Sequence, residues 1–130
     1  MIIDNFYNIM RTDMFMKQLV SWFKQWDIEP ACLETLPKTG FIVDNIAALF
    51  VYETNSKLAF IDYLISNKEQ DKSKTNEALD MLIDHSFAYC KSNGYKYVIS
   101  NSKYDAVVSR VKKHGCNVDS ASYRVFGRSI

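Results

Sequence analysis

From Leu58 onward the spacing of apolar residues changes repeatedly. LAFIDYLISN runs apolar at strand spacing, and KEQDKSK is polar without a period. In TNEALDMLIDHSFAYCKSN, the residues Ala78, Leu79, Leu82, Ile83, Ser86, Phe87 and Cys90 fall on one helical face. GYKYVIS returns to strand character, and NSKYDAVVSRVKKHG sets Tyr104, Val107, Val108 and Val111 at helical spacing before Gly115. The order predicted over 58–115 is strand, loop, helix, strand, helix. Thr75 is the expected N-cap of the first helix and Asn93-Gly94 its stop, while Asn101 or Ser102 caps the second. A helix that returns the chain to Tyr97, Val98 and Ile99 is a crossover, so that strand should run parallel to the one around Ile61.

Upstream, Phe15, Leu19, Trp22, Phe23 and Trp26 form a helical stripe, with Thr12 or Asp13 placed to cap it. Ile2 and Ile3 suit a short opening strand, and residues 5–10 a helical turn. DIEPACLETLPKTG holds both prolines and reads as a connector. After Gly40 the runs FIVD, IAALFVY and LAFIDYLIS are strand-like, joined by Asp44-Asn45 and by residues 53–56. Links this short favour an antiparallel meander. SYRVFGRS suggests a final strand over 123–126. The expected architecture is α/β in the α+β sense: a mixed sheet, an antiparallel meander plus one parallel βαβ junction, with helices on both faces. One domain spans 1–130, with a helical N-terminal part over 1–39 and a core over 40–127.

Composition narrows the function classes. A chain of 130 residues, 48% apolar and 24% charged, is globular and sized for one core. Sixteen basic against fifteen acidic residues leave a net charge of +1, which argues against a nucleic-acid or lipid-headgroup surface. Cys32, Cys90 and Cys116 are an odd number without a CxxC or metal-ligand spacing, so no metal site is expected and a reduced free thiol is. No signal-peptide pattern opens the chain and no apolar run spans a bilayer, so a cytoplasmic location is expected.

The stretches AYCKSNGYKYVIS and NSKYDAVVSRVKKHGC resemble two stretches of the GNAT family, the Gcn5-related N-acetyltransferases. They match A-x-x-x-G-y-x-x-i and N-x-x-A-x-x-x-Y-x-x-x-G-F, with Asn101, Ala106 and Gly115 in the family's order. The resemblance covers roughly 40–127 and rests on element order. It implies a strand splayed from its parallel neighbour, an acyl-pantetheine arm in the resulting V, and a pyrophosphate held at the following helix start. On this chain the amides near Ile65 and Asn67 would pair with the pantetheine. Lys72, Ser73, Lys74, Thr75 and Asn76 would hold the pyrophosphate of acetyl-CoA, and Asn101 would lie on the cofactor side. Asp62 is the implied base for an amine acceptor, one whose burial would raise its pKa. Tyr104, or Tyr123, is the implied phenol acid. The chain is also similar to small acetyltransferase-like proteins of bacteriophages, which would make it virion-associated.

Departures from the family pattern keep a second reading open. The family's Q/R-x-x-G-x-G/A loop corresponds to residues 72–78, which contain no glycine, and Glu77 would repel a diphosphate. Val111 stands where a tyrosine often serves as acid, and Cys116 where an aromatic follows the glycine. The alternative is a catalytically inactive GNAT-fold interaction or structural protein, of a phage virion or directed at a host, with the cleft filled by Phe15, Trp22 or Trp26. Each candidate also has a plain structural role. Asp62 suits an ion pair, Tyr104 a helix core, residues 72–75 a solvated cap, and His114 a helix C-terminus. Arg110, Lys112, Lys113 and His114 make either a solvated basic face or a grip on the 3′-phosphate of CoA.

Overall fold

The computed structural model describes residues 1, 3–5, 13–28 and 35–130. Of the turn expected over 5–10, Asn5 instead closes the opening strand, and residues 6–10 lie outside the described ones, as do Ile2, Thr12 and Cys32. Five strands form one sheet in the order of the chain: β1 (Ile3–Asn5), β2 (Thr39–Val43), β3 (Ala47–Tyr52), β4 (Leu58–Ser66) and β5 (Tyr97–Ile99). The first three junctions are antiparallel and the last, β4 to β5, is parallel. The predicted mixed sheet is the one observed. Turns at Asp44 and over 53–57 make the meander, and α2 (Lys72–Ser92) supplies the crossover.

Both faces are covered, which explains the unbroken apolar run in β3. On one face Leu49, Val51, Ala59 and Ile61 pack with Ala78, Leu82, Ile83 and Cys90 of α2. On the other, Ala48, Phe50 and Ile65 pack with Leu19, Trp22 and Phe23 of α1 (Asp13–Gln25). A fully buried side chain of this size contributes roughly 1.5–3 kcal/mol, and Leu19, Leu49, Phe50 and Leu82 are all at 0–1% exposure. The Glu53 carboxylate accepts from Thr39 Oγ1 at 2.7 Å, Tyr89 OH at 3.1 Å and Tyr95 OH at 3.3 Å, tying β2, α2 and the approach to β5 together.

Helix α3 (Asp105–Lys113) has no buried residue and docks on α2 mainly through charge, with Val111 against the core. Arg110 donates to Asp80 at 2.8 Å and to Asn76 Oδ1 at 2.7 Å. His114 lies between two carboxylates, with Nδ1 2.7 Å from Asp84 and Nε2 2.9 Å from Asp80. A neutral imidazole has only one N–H, so both bonds together require the imidazolium.

Three sequence expectations need correction. Helix α2 begins at Lys72, not behind Thr75, because Asp71 caps it: its carboxylate accepts from Ser73 N at 2.6 Å. An aspartate here caps well and also meets the positive end of the helix dipole. Thr75 falls inside the first turn, its hydroxyl donating to the Asp71 carbonyl at 3.0 Å. Helix α3 starts after Tyr104 rather than after Asn101 or Ser102, since Ser102 Oγ accepts from Tyr104 N at 3.1 Å and holds a turn there. Residues 123–126 form no strand. Asp119 instead accepts from Ala121 N at 2.9 Å and from Tyr123 OH at 2.6 Å, and an unpaired strand has no ladder to sustain it.

Candidate active site

Strand β4 runs nine residues, but β5 accompanies it for three, with Leu58 beside Tyr97, Ala59 beside Val98 and Phe60 beside Ile99. Beyond that point the chain leaves the sheet at Ser100 and Asn101, and the two parallel strands part. The gap is a cleft of about 230 Å³ lined by Tyr52, Phe60, Ile61, Asp62, Ser100 and Asn101.

A bulge in β4 shapes the cleft. Phe50 opposes Asp62 and Ala48 opposes Ile65, so Tyr63 and Leu64 together stand opposite Leu49. Tyr63 takes φ of 53°, a left-handed conformation that costs an aromatic residue roughly 1–2 kcal/mol. The Asp62 carboxylate supports it by accepting from Tyr63 N at 2.7 Å, and the Tyr63 ring meets Phe23 edge-on at 5.6 Å. Residues before the bulge follow simple alternation, which puts Asp62 on the face of Phe50 and Tyr52. Helix α1 covers Phe50 and Ile65 there but leaves Asp62 exposed. The expected burial of Asp62 is therefore corrected.

Tyr52 is a site residue that the sequence reading missed. Burial first, then the neighbouring Tyr63 and Asp62, push its phenol up to about 12, so it keeps its proton and donates to the Thr35 carbonyl at 3.1 Å. Its place was recoverable from parity, because Tyr52 pairs with Phe60 on the face that also presents Asp62. Ser100 was missed for lack of any motif. The cleft so built offers one open carboxylate, a carboxamide and two hydroxyls around an apolar floor.

Of the predicted site residues, the structure brings Asp62 and Asn101 together in this cleft. Ile65 is buried under α1, and the Asn67 amide donates to the Ile46 carbonyl at 2.8 Å, so the Asn67 amide is not free to pair with a pantetheine arm. The end of β4 is held by the last residue of α1 and the turn after it: Trp26 Nε1 donates to the Ser66 carbonyl at 2.7 Å, Gln25 bonds Asn67 at 3.2 Å, and Lys68 N donates to Gln25 Oε1 at 2.8 Å. Lys72, Ser73 and Lys74 lie exposed on the first turn of α2, with Thr75 beside them. Asn76 is committed to Arg110. Tyr104 is an exposed N-cap residue, neither helix core nor cleft lining. Tyr123 bonds Asp119 away from the cleft lining. Burial pushes the Cys90 and Cys116 thiols up, and neither has an activating base. No metal-ligand cluster occurs among the described residues, and no described helix is long and apolar enough to cross a membrane.

The sequence matches no protein-family model and no curated protein. Solved structures do match. An aminoglycoside acetyltransferase from an uncultured soil metagenomic sample, in complex with sisomicin, superposes with a TM-score of 0.69 at 14% identity, over 99% of this chain and 96% of that one. An acetyltransferase of Trypanosoma brucei gives 0.66 at 10% identity, over 96% and 98%. Glucosamine-6-phosphate N-acetyltransferase from Arabidopsis thaliana gives 0.58 at 12% identity, over 96% and 97%. With strands parting beside a helix tip and these neighbours spanning nearly the whole chain, the protein has the GNAT acetyltransferase fold, in a divergent sequence.

Proposed function

We propose that this protein is an N-acyltransferase that moves the acetyl group of acetyl-CoA to an amine. The observation carrying this reading is the cleft where β4 and β5 part, with the Asp62 carboxylate open to it and the start of α2 following the same strand. Acetyl-CoA supplies the activated thioester as a substrate. The amine nitrogen attacks its carbonyl carbon, a C–N bond forms, and the C–S bond breaks. Asp62, directly or through one water, takes the proton that the amine loses. The leaving thiolate takes a proton from solvent, since Tyr104, the acid expected from sequence, does not line the cleft. Asn101 and Ser100 orient the amide being formed.

The helix start fits an anionic group in part. Lys72 and Lys74 supply charge and the first-turn amides point outward, but the Asp71 carboxylate already holds the Ser73 amide. An incoming diphosphate must displace it, at a cost of about 0.5–2 kcal/mol in capping. The same contact, together with the Trp26 bond that occupies the Ser66 carbonyl, favours the second reading, a GNAT fold without catalysis. Titration calorimetry with acetyl-CoA and with CoA separates the two. Saturable heat supports the transferase, and no heat at about millimolar ligand, a free energy near −4 kcal/mol, removes it. Thiol release from acetyl-CoA on adding small amines then tests turnover.

A further inference from the structure

The sheet face toward α1 is covered only in part. Helix α1 packs on Phe50 and Ile65, with Tyr52 at the border of that cluster. Farther along the same face, Phe60 of β4 is 42% exposed, and Ile99 and Tyr97 of β5 are 43% and 64% exposed. The ladder fixes the parity: Phe60 pairs with Ile99 and Leu58 with Tyr97, while Ala59 and Val98 between them pack in the cluster under α2. Phe60, Ile99 and Tyr97 form an apolar strip that runs into the cleft, because Phe60 also lines it beside Asp62. Among the residues lining the cleft, Asp62 alone carries a charge. An ammonium there gains a charge-assisted hydrogen bond and the faces of nearby rings. Tyr52 adds no second negative charge, since its protonated hydroxyl donates to the Thr35 carbonyl. A second ammonium, or a row of sugar hydroxyls, would lose its water over Phe60 and Ile99 without finding a partner.

We propose that the acceptor is a small primary monoamine carried on an aromatic ring, its nitrogen at Asp62 and its ring on Phe60 and Ile99, and not a polyamine or an aminosugar. This rests on the acyltransferase reading. Phe60 and Asp62 lie two residues apart on one face, about 7 Å, a span matched by a ring with a two-carbon arm. A dry cavity of about 150 Å³ takes benzene, and the cleft, at about 230 Å³, has space left for the arm and the acetyl group. The ammonium held by Asp62 gives up one proton to become nucleophilic. Its nitrogen lone pair then forms the C–N bond, and the C–S electron pair leaves with sulfur. The surplus proton on nitrogen passes to Asp62 and on to solvent, and the thiolate takes one from solvent. One ammonium and one thioester thus give one amide, one thiol and one proton.

Thiol release from acetyl-CoA by the full chain tests this, with binding of acetyl-CoA and CoA read separately by titration calorimetry. The kcat/KM for 2-phenylethylamine should exceed that for ethylamine by about ten- to a hundredfold, the effect of burying one aromatic ring. Spermidine and glucosamine should rank below 2-phenylethylamine. Ile99→Glu, at an exposed position, should cut the ratio of 2-phenylethylamine to ethylamine by about tenfold and raise spermidine relative to ethylamine. A ratio taken within one variant does not depend on how much of it is folded. If CoA binds but spermidine or glucosamine is the better acceptor, or 2-phenylethylamine is not acetylated, the inference is overturned while cofactor binding stands. An Ile99→Glu ratio equal to that of the wild type overturns the placement of the ring. No heat with acetyl-CoA or CoA removes the acyltransferase reading itself, and the inference with it.

Discussion

Replacing His114 with alanine should destabilise the protein more in mild acid than in mild base. The ring bridges Asp80 and Asp84 and is only 12% exposed. Burial by itself disfavours its charge, but the hydrogen bonds to Asp80 and Asp84, with their negative charges, outweigh burial and raise its pKa above 6.5. A group whose native pKa is raised contributes stability fully below its unfolded pKa and loses that contribution as pH climbs through the native value. Asp80 behaves in the opposite sense. Burial disfavours its charge, but bonds from His114 and Arg110 prevail and lower its pKa below 3.8, so its contribution is lost only as pH falls through that lowered value. Around pH 5, then, both partners are charged. Hydrogen bonds to charged groups are worth about 1.5–3 kcal/mol each, but Asp80 is 48% and Asp84 72% exposed, and solvent screens them. A combined contribution of about 1–2 kcal/mol is expected. Urea unfolding of wild type and His114→Ala at about pH 5 and about pH 9 measures it, because packing losses are common to both and cancel. The penalty should shrink by about 1–2 kcal/mol at the higher pH. A penalty that is constant, or larger at high pH, refutes the imidazolium bridge.

Three further outcomes follow from particular contacts. Asp62→Asn should lower thiol release by about a hundredfold or more while leaving CoA affinity, read by calorimetry, nearly unchanged; full activity would exclude Asp62 as base. Asp71→Ser keeps a capping oxygen but removes the carboxylate from the Ser73 amide, so CoA should bind several-fold tighter by titration, at a loss in stability of only about 0.3–1 kcal/mol from the helix dipole. Ser86 Oγ is buried without a hydrogen-bond partner, so Ser86→Ala should raise stability by about 1 kcal/mol in urea unfolding, and a clear loss would mean the hydroxyl is satisfied.

The sheet order was legible because its causes are local. Short polar links force antiparallel neighbours, and a long amphipathic helix between strands forces a parallel one. Helix starts were less legible. Asp71 and Thr75 both suit an N-cap, and the choice was made by a carboxylate that reaches a backbone amide three-dimensionally, not by periodicity. Asp62 was found through the family resemblance, yet its exposure was misjudged, since strand alternation does not tell where α1 stops covering the sheet. Asn76 and Arg110 were read as separate basic or phosphate-facing groups. Their mutual bond joins helices 34 residues apart in the chain, a pairing invisible to spacing. The tail had the composition of a strand but lacked a partner in its own chain, and composition alone cannot supply one.

The extra residue in β4 divides the strand into two reading frames. Up to Asp62, even-numbered positions look toward α1; after Leu64, odd-numbered ones do, as Ile65 shows. Amino-acid changes at Phe60 or Asp62 can therefore remodel what the cleft accepts without disturbing Ile65 and Ser66, which anchor α1. Losing either Tyr63 or Leu64 would leave one residue opposite Leu49 and make the strand regular, erasing the kink while Asp62 and Ile65 keep their partners and both still look toward α1.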